Sequence, residues 1–183
     1  MNAAAHSSSF QYDRRSIVLH WLSAALVIAL WAIGQTIDWF PKGTPRSFAR
    51  SVHIVLGLTL ALVLLARLWW RLGGGAQSPL AGTAWLDRAA TLTHRLLYLL
   101  LAVTVMLGIA NAWVRGDTLF NALTIPTFDP GNKDLRDTVE DWHGLAANVL
   151  LIVALFHATA GLLHHFVFKD DVLRRMLPTR TPR

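Results

Sequence analysis

Four long stretches of the sequence contain no Asp, Glu, Lys or Arg, and they restrict what the chain can fold into. They comprise 22 residues between Arg15 and Asp38, 16 between Arg50 and Arg67, 19 from Leu96 to Val114, and 27 from Trp142 to Phe168. A helix needs about 20 apolar residues to cross the hydrocarbon of a bilayer, and these residues do not alternate as barrel strands would. We therefore predict an all-α integral membrane protein, a single four-helix bundle over residues 1–183.

The predicted helices extend slightly beyond the charge-free stretches, to about residues 16–38, 51–71, 94–114 and 142–168. The second helix spans the bilayer only if Arg67 and Arg71 extend their stems along the apolar surface and place their charges at the interface. A linker over 72–93 contains three consecutive glycines. A loop over 115–141, with room for a short amphipathic helix, completes the predicted topology.

Charge is distributed unequally between the two sides of the predicted bundle. Of the 17 Lys and Arg residues, 11 lie on the side of the two termini, whereas 7 of the 11 Asp and Glu residues lie on the opposite side. The positive-inside rule then predicts cytoplasmic termini, a cytoplasmic linker and a periplasmic 115–141 loop. The formal net charge of +6 is thereby interpreted as an orientation signal. No basic face or stacking motif indicates a nucleic-acid partner.

Several histidines fall within the predicted helices, where an ionisable side chain indicates a functional site. His143 and His157 are 14 residues apart, which is about 21 Å and nearly four full turns, so both point to the same side of the fourth helix. His53 lies at the depth of His143, and His20 lies at the depth of His157. Two opposed imidazoles at one depth suit bis-histidine ligation of haem b. Thiolate ligation is excluded because the chain has no cysteine.

Other histidines leave alternatives open. His164 and His165 return close to the face of His143, but ligands about 32 Å apart would push both haems to the membrane surfaces, so depth favours His157. His94, beside Arg95, is expected at the interface with a propionate or a lipid phosphate as its partner. A hydrogen-bonded interior histidine without a metal remains the alternative for any single residue. A transporter or receptor without haem therefore stays open at this point.

Seven sequence motifs extend over nearly the whole chain, from about Tyr12 to Pro178, and together they carry a family resemblance. They are LHW at 19–21, VHIVLG at 52–57, LTHRLLY at 92–98, WH at 142–143, LFH at 155–157, LHHFVFKD at 163–170 and LRRMLP at 173–178. In this order they resemble the bacterial cytochrome b561 family, four-helix dihaem proteins of the inner membrane.

The resemblance implies two haems b, with His20 and His157 holding the cytoplasmic one and His53 and His143 the periplasmic one. It also implies a superoxide:quinone oxidoreductase, in which superoxide gives up an electron at the periplasmic face and ubiquinone is the acceptor. A quinone site needs protons and a polar anchor, and His164 and Lys169 are the candidate catalytic residues. The alternative is that Lys169 and Asp170 only cap the fourth helix.

The electron donor is the least determined part of this hypothesis. The loop over 115–141 is acidic and would not attract an anion. Oxidation of superoxide therefore requires a local positive patch formed by Lys42, Arg46, Arg50 or Arg115. The alternative is a cytochrome b subunit that connects quinone to a periplasmic dehydrogenase or hydrogenase. Such subunits use the same plan of four helices and four histidines.

Overall fold

A computed structural model describes residues 11–75 and 84–178. The four long helices are α1 (Arg14–Thr36), α2 (Thr44–Leu72), α3 (Ala84–Arg115) and α4 (Lys133–Leu163). All four are long and apolar enough to cross a membrane, which confirms the predicted four-helix membrane fold. A 3-10 turn (Ile37–Trp39) follows α1, a π-helical turn (His164–Phe168) continues α4, and a second 3-10 turn (Arg174–Met176) lies near the end of the described chain.

Three helices begin seven to ten residues earlier than predicted, and α1 begins two residues earlier. α2 begins at residue 44 instead of 51, α3 at 84 instead of 94, and α4 at 133 instead of 142. A charge-free stretch measures the thickness of the hydrocarbon, whereas caps and prolines set the ends of a helix. Pro45 lies in the first turn of α2, and Asn132 Oδ1 accepts a hydrogen bond of 2.9 Å from the Leu135 amide at the start of α4.

The predicted linker over 72–93 therefore differs from the observed chain path. Residues 84–93 form the first turns of α3. Residues 76–83 lie outside the described residues. The loop over 115–141 also differs from its prediction. Its helical part is continuous with α4, and no separate amphipathic helix occurs among the described residues.

A two-stranded hairpin follows α3 and packs against the start of α2. Strand β1 (Thr118–Leu119) pairs antiparallel with β2 (Leu123–Thr124), and Phe120 and Asn121 turn the chain with left-handed backbone angles. The Phe120 amide donates a hydrogen bond of 2.9 Å to Oγ of the fully buried Ser51. We call this side of the bundle the hairpin end, and the opposite side, with residues 11–15 and 164–178, the tail end.

Most apolar side chains point away from the bundle. Within the most hydrophobic window of each helix, at most 22% of the residues are buried against protein, so the outer surface suits contact with lipid. A small core lies between the helices and consists of Leu26, Leu30, Leu60, Val63, Leu64, Leu101 and Leu150. Leu150 is midway between His143 and His157 in the sequence. The core therefore separates the hairpin half of the bundle from the tail half.

The C-terminal segment folds back onto the start of α1. Trp21 Nε1 donates a hydrogen bond of 2.8 Å to the Met176 carbonyl, and Gln11 Nε2 donates one of 3.0 Å to the Leu177 carbonyl. The His20 ring packs edge-on against Trp21, with centroids 5.4 Å apart. The tail end is thus an ordered layer that lies directly beside His20.

Candidate functional site

The hairpin half of the bundle contains one pair of facing imidazoles. His53 on α2 and His143 on α4 have ring centroids 6.1 Å apart, and their planes are perpendicular. Both residues are half-buried. The structure therefore brings together two histidines that the sequence placed at one depth on different helices.

A second pair lies in the tail half. His20 on α1 and His157 on α4 have ring centroids 6.3 Å apart, with an angle of 69° between their planes. Because α4 runs without interruption from Lys133 to Leu163, the 14 residues from His143 to His157 correspond to about 21 Å along its axis. The two pairs thus occupy two depths along one helix, with the leucine core between them.

The separation within each pair matches the geometry of two imidazoles that share one metal ion. A histidine nitrogen lies about 2 Å from its metal and the ring centroid about 1 Å farther out, so rings on opposite sides of an iron have centroids about 6 Å apart. The observed 6.1 and 6.3 Å are close to this value. Both pairs fit bis-imidazole ligation of a haem iron.

Hydrogen bonding within the first pair also fits metal ligation. His143 Nδ1 lies 3.1 Å from the main-chain carbonyl oxygen of Thr104 on α3. Since a carbonyl only accepts, Nδ1 carries the proton and Nε2 keeps its lone pair for a metal. His53 Nδ1 is buried as well, and the main chain of Leu30 on α1 is the hydrogen-bonding neighbour of this ring. Each ring of this pair can therefore offer a nitrogen lone pair to a metal ion.

Two glycines provide space for the same pair. A Cβ atom at Gly34 on α1 would lie 3.4 Å from His53 Cε1, and one at Gly108 on α3 would lie 3.0 Å from His143 Cε1. The second distance is shorter than ordinary carbon contacts in packed interiors. All four helices therefore shape this site, since α2 and α4 supply the imidazoles and α1 and α3 supply the glycines.

The tail-half pair has a third imidazole beside it, at a position that differs from the one predicted. His94 on α3 has its ring centroid 5.2 Å from that of His157. The position of His94 beside Arg95 predicts an interfacial residue at the start of the third helix, but α3 begins ten residues earlier, at Ala84. A signal was present in the sequence, because His94, Tyr98 and Leu101 follow the helical spacing of one face, and Leu101 belongs to the core.

The end of α4 contains a histidine–carboxylate pair. His164 Nδ1 donates to Asp170 Oδ2 at 2.5 Å, and both side chains are partly exposed. Burial alone would raise the pKa of Asp170. The hydrogen bonds from His164 and the Val172 amide, with the positive charge of Arg175, outweigh this effect and lower the pKa below its ordinary value of 3.8.

Lys169 lies between these two residues in a left-handed backbone conformation, with φ 55°. Its amide donates to the His164 carbonyl and ends the π-helical turn. Its side chain is on the exposed surface of the tail end. The backbone of Lys169 thus caps α4, while the Asp170 side chain orients the His164 ring.

The arginines at the hairpin end are paired with carboxylates. The pairs are Arg46–Asp38 at 3.1 Å, Arg50–Asp117 at 3.3 Å, and Arg115 with both Asp117 and Glu140. Of the four cations that we considered for a positive patch, only Lys42 has no ion pair within the described part of the chain. The positive charge on this face is therefore largely compensated.

Comparison with known proteins agrees with the resemblance seen in the motifs. The chain matches the family described as prokaryotic cytochrome b561 over residues 11–179. It is 29% identical to the "Probable superoxide oxidase CybB" of Yersinia pestis, covering 93% of this chain and 97% of that protein. It is 28% identical to "Cytochrome b561 homolog 1" of Escherichia coli, covering 93% and 98%, and 30% identical to "Cytochrome b562" of Cereibacter sphaeroides, covering 92% and 96%. The chain therefore belongs to the prokaryotic cytochrome b561 family, multi-pass proteins of the bacterial inner membrane that bind haem b and transfer electrons.

Proposed function

We propose that this protein holds two haems b, one between His53 and His143 and the other between His20 and His157. The main support is that two imidazole pairs at different depths have nearly the same separation, 6.1 and 6.3 Å. When bound, the haems supply one-electron carriers. The chain contributes rigid helices that position the ligands and an apolar surround that limits the access of water.

We further propose that the tail end faces the cytoplasm and the hairpin end faces the periplasm. This orientation follows from the excess of basic residues on the side of the termini. The exposed Lys169, Arg14 and Arg15 lie at the tail end, where the positive-inside rule expects cations. The His20–His157 pair is then the cytoplasmic one, and the His53–His143 pair is the periplasmic one.

The proposed acceptor is ubiquinone, bound near His164. This residue lies seven positions after His157 on the same helix, which is about two turns or 10 Å. His164 would hydrogen-bond a quinone carbonyl and pass protons to it from the cytoplasmic side, while Asp170 holds the imidazole in one tautomer. Lys169 would add a positive charge near the developing anionic oxygen.

Superoxide is the donor that we propose, because a relative is named as a probable superoxide oxidase. Two superoxide anions would give up two electrons and leave as dioxygen, and ubiquinone would take up these electrons with two protons to form ubiquinol. The compensated arginines at the hairpin end offer little long-range attraction for an anion. We therefore expect the reaction with superoxide to depend only weakly on ionic strength.

A second candidate is a cytochrome b subunit that connects quinone to a periplasmic dehydrogenase or hydrogenase. The first turns of α4 favour it, because Asp134, Asp137 and Asp141 are exposed along one side of the helix. An acidic stripe of this kind suits docking of a partner with a basic surface. Co-purification of such a partner would support this candidate over superoxide oxidation.

A reduced-minus-oxidised spectrum of the purified protein, with a pyridine haemochrome count, tests the proposal first. We expect two haems b per chain, and a protein purified from haem-sufficient cells without haem would refute the proposal. Pulse radiolysis then separates the two donors. Rapid haem reduction by superoxide, followed by quinone-dependent reoxidation, would support the superoxide oxidase. Absence of haem reduction by superoxide would instead favour the cytochrome b subunit.

A further inference from the structure

Two arginines of α2 share one aromatic ring of α3 in the tail half. Arg67 and Arg71 are one helical turn apart, and their guanidinium carbons lie 5.1 and 5.6 Å from the centre of the Tyr98 ring. Arg67 is half-buried and Arg71 is exposed. Cation–π contacts at this distance hold the two guanidinium groups next to each other. Their mutual repulsion is therefore opposed by the ring that they share.

This arginine pair lies beside the histidines of the tail half. The ring centroid of His94 lies 5.2 Å from that of His157, which lies 6.3 Å from that of His20, and both arginines are close enough to this group to interact with it electrostatically. Tyr98 follows His94 by one turn on α3. The arginines, the tyrosine and the three imidazoles thus form one cluster that spans α1 to α4.

The two guanidinium charges have no carboxylate partner in the described part of the chain, since no ion pair joins either of them to Asp or Glu within 4 Å. The hairpin end behaves differently, because Arg46, Arg50 and Arg115 are all paired there. A half-buried cation such as Arg67 is costly unless an anion accompanies it, and two adjacent cations repel each other. The arrangement therefore calls for a ligand with more than one negative group.

We propose that Arg67 and Arg71 bind the two propionate carboxylates of the haem that His20 and His157 hold. This inference rests on the proposed haem site and names residues that would orient the cofactor there. Guanidinium groups form bidentate hydrogen bonds with carboxylates, and a haem b carries two carboxylates on one edge. Two cations beside one imidazole pair match this charge and number.

Tyr98 then has a positioning role. Its ring restricts both guanidinium groups before the cofactor binds, which lowers the entropy that ordering two long side chains would otherwise cost. Removing the ring should weaken cofactor binding even though both cations remain. Removing only the phenol hydroxyl should have little effect.

The test compares Arg67→Gln, Arg71→Gln and the double variant with Arg88→Gln as a control, since Arg88 is an exposed cation of α3 outside this cluster. We expect each single variant to lower the midpoint potential of one haem, because loss of a nearby cation favours the oxidised iron. The other haem should keep its potential. We expect the double variant to bind about one haem per chain, while Arg88→Gln keeps two and both wild-type potentials.

Three further variants and a lipid assay complete the test. Tyr98→Leu should shift the same haem, whereas Tyr98→Phe and Arg67→Lys should largely retain the wild-type potential. Unchanged potentials and haem content in both single glutamine variants would overturn the proposal. So would a change confined to phosphatidylglycerol binding, measured by native mass spectrometry, which would assign the arginines to lipid headgroups. A wild-type protein that purifies without haem would instead refute the proposed haem site. Failure of the arginine proposal and failure of the haem site therefore give different results.

Discussion

The imidazole of His143 on α4 donates a hydrogen bond of 3.1 Å to the main-chain carbonyl of Thr104 on α3. A main-chain acceptor keeps its position whichever rotamer the Thr104 side chain adopts, and it determines which nitrogen of His143 keeps its lone pair. The same helix carries His157 in a comparable pair with His20. The positions of the imidazoles therefore depend on helix packing.

Replacement of His143 by alanine should remove one haem and leave the other. The tail-half pair uses different residues, and the leucine core separates the two sites, so the effects should be independent. A haem count on His143→Ala should fall from two per chain to about one, as should a count on His53→Ala. His165→Ala serves as the control because it should retain both haems. Two haems in His143→Ala would contradict the ligand assignment.

His20 and His94 both lie beside His157, and only one of them can complete its ligation. The 6.3 Å separation of His20 fits two rings across an iron, whereas the 5.2 Å separation of His94 is too short. We expect His20→Ala to lose one haem and His94→Leu to keep both. The opposite result, with haem lost only from the His94 variant, would make His94 the partner of His157.

An alanine at Gly108 should disturb the hairpin-half site. Its Cβ would lie 3.0 Å from the His143 ring, so the ring or the helix must shift, at a cost of about 1–3 kcal/mol. We expect a lower haem content or a changed haem spectrum. Gly34→Ala is the matched comparison, because its Cβ would meet the His53 ring at an ordinary contact distance of 3.4 Å. Equal effects of the two variants would argue against the steric explanation.

Replacement of Asp170 by asparagine should slow quinone reduction, by about tenfold if the carboxylate orients His164. Asp171→Asn is the control, since Asp171 pairs only with the exposed Arg174 among the described residues. The lowered pKa of Asp170 means that the carboxylate is ionised above pH 3.8. Its hydrogen bond therefore stabilises the tail end above that pH and is lost as the pH falls through the lowered pKa.

The rate of quinone reduction as a function of pH checks this prediction. Between pH 5 and pH 8 the Asp170 carboxylate stays ionised, so it should contribute no step to the wild-type profile. The asparagine variant should be slower across the whole range. A wild-type rate in Asp170→Asn would show that the carboxylate only caps the helix.

Asp117 controls the charge of the hairpin end. It contacts both Arg50 and Arg115, so Asp117→Asn should leave these arginines less compensated and raise the rate with superoxide on the order of twofold at low salt. The gain should disappear as ionic strength rises. Asp134→Asn, which removes an exposed carboxylate outside this network, tests for a general charge effect. A slower reaction in Asp117→Asn would show that the network has mainly a structural role.

Much of the fold followed from the sequence because a bilayer imposes simple rules. Backbone groups in hydrocarbon must be hydrogen-bonded within the segment, so four apolar stretches become four helices. The common face of His143 and His157 also followed, since it depends only on the geometry of one helix. The helix ends did not follow, because Asn132 and Pro45 set them outside the charge-free stretches.

The hairpin and the contacts between helices were harder to predict. The sequence does not indicate the hairpin because its strands are only two residues long, and Thr118 and Leu123 show no extended alternation. His94 was placed at the interface because its position beside Arg95 resembled a helix end. The helical spacing of His94, Tyr98 and Leu101 indicates a common face of α3, but no local pattern shows that α3 begins at Ala84.

The sequence by itself determined the class of protein, the number of helices and the relative depth of His143 and His157, because hydrophobicity and helical rise are local properties. Only the tertiary structure decided which imidazoles meet, how His143 is oriented by Thr104, and which arginines remain without carboxylates. These features depend on how each helix rotates and packs against its neighbours. Arg67 and Arg115 are alike in the sequence, yet packing places one beside the histidines and the other beside Asp117 and Glu140.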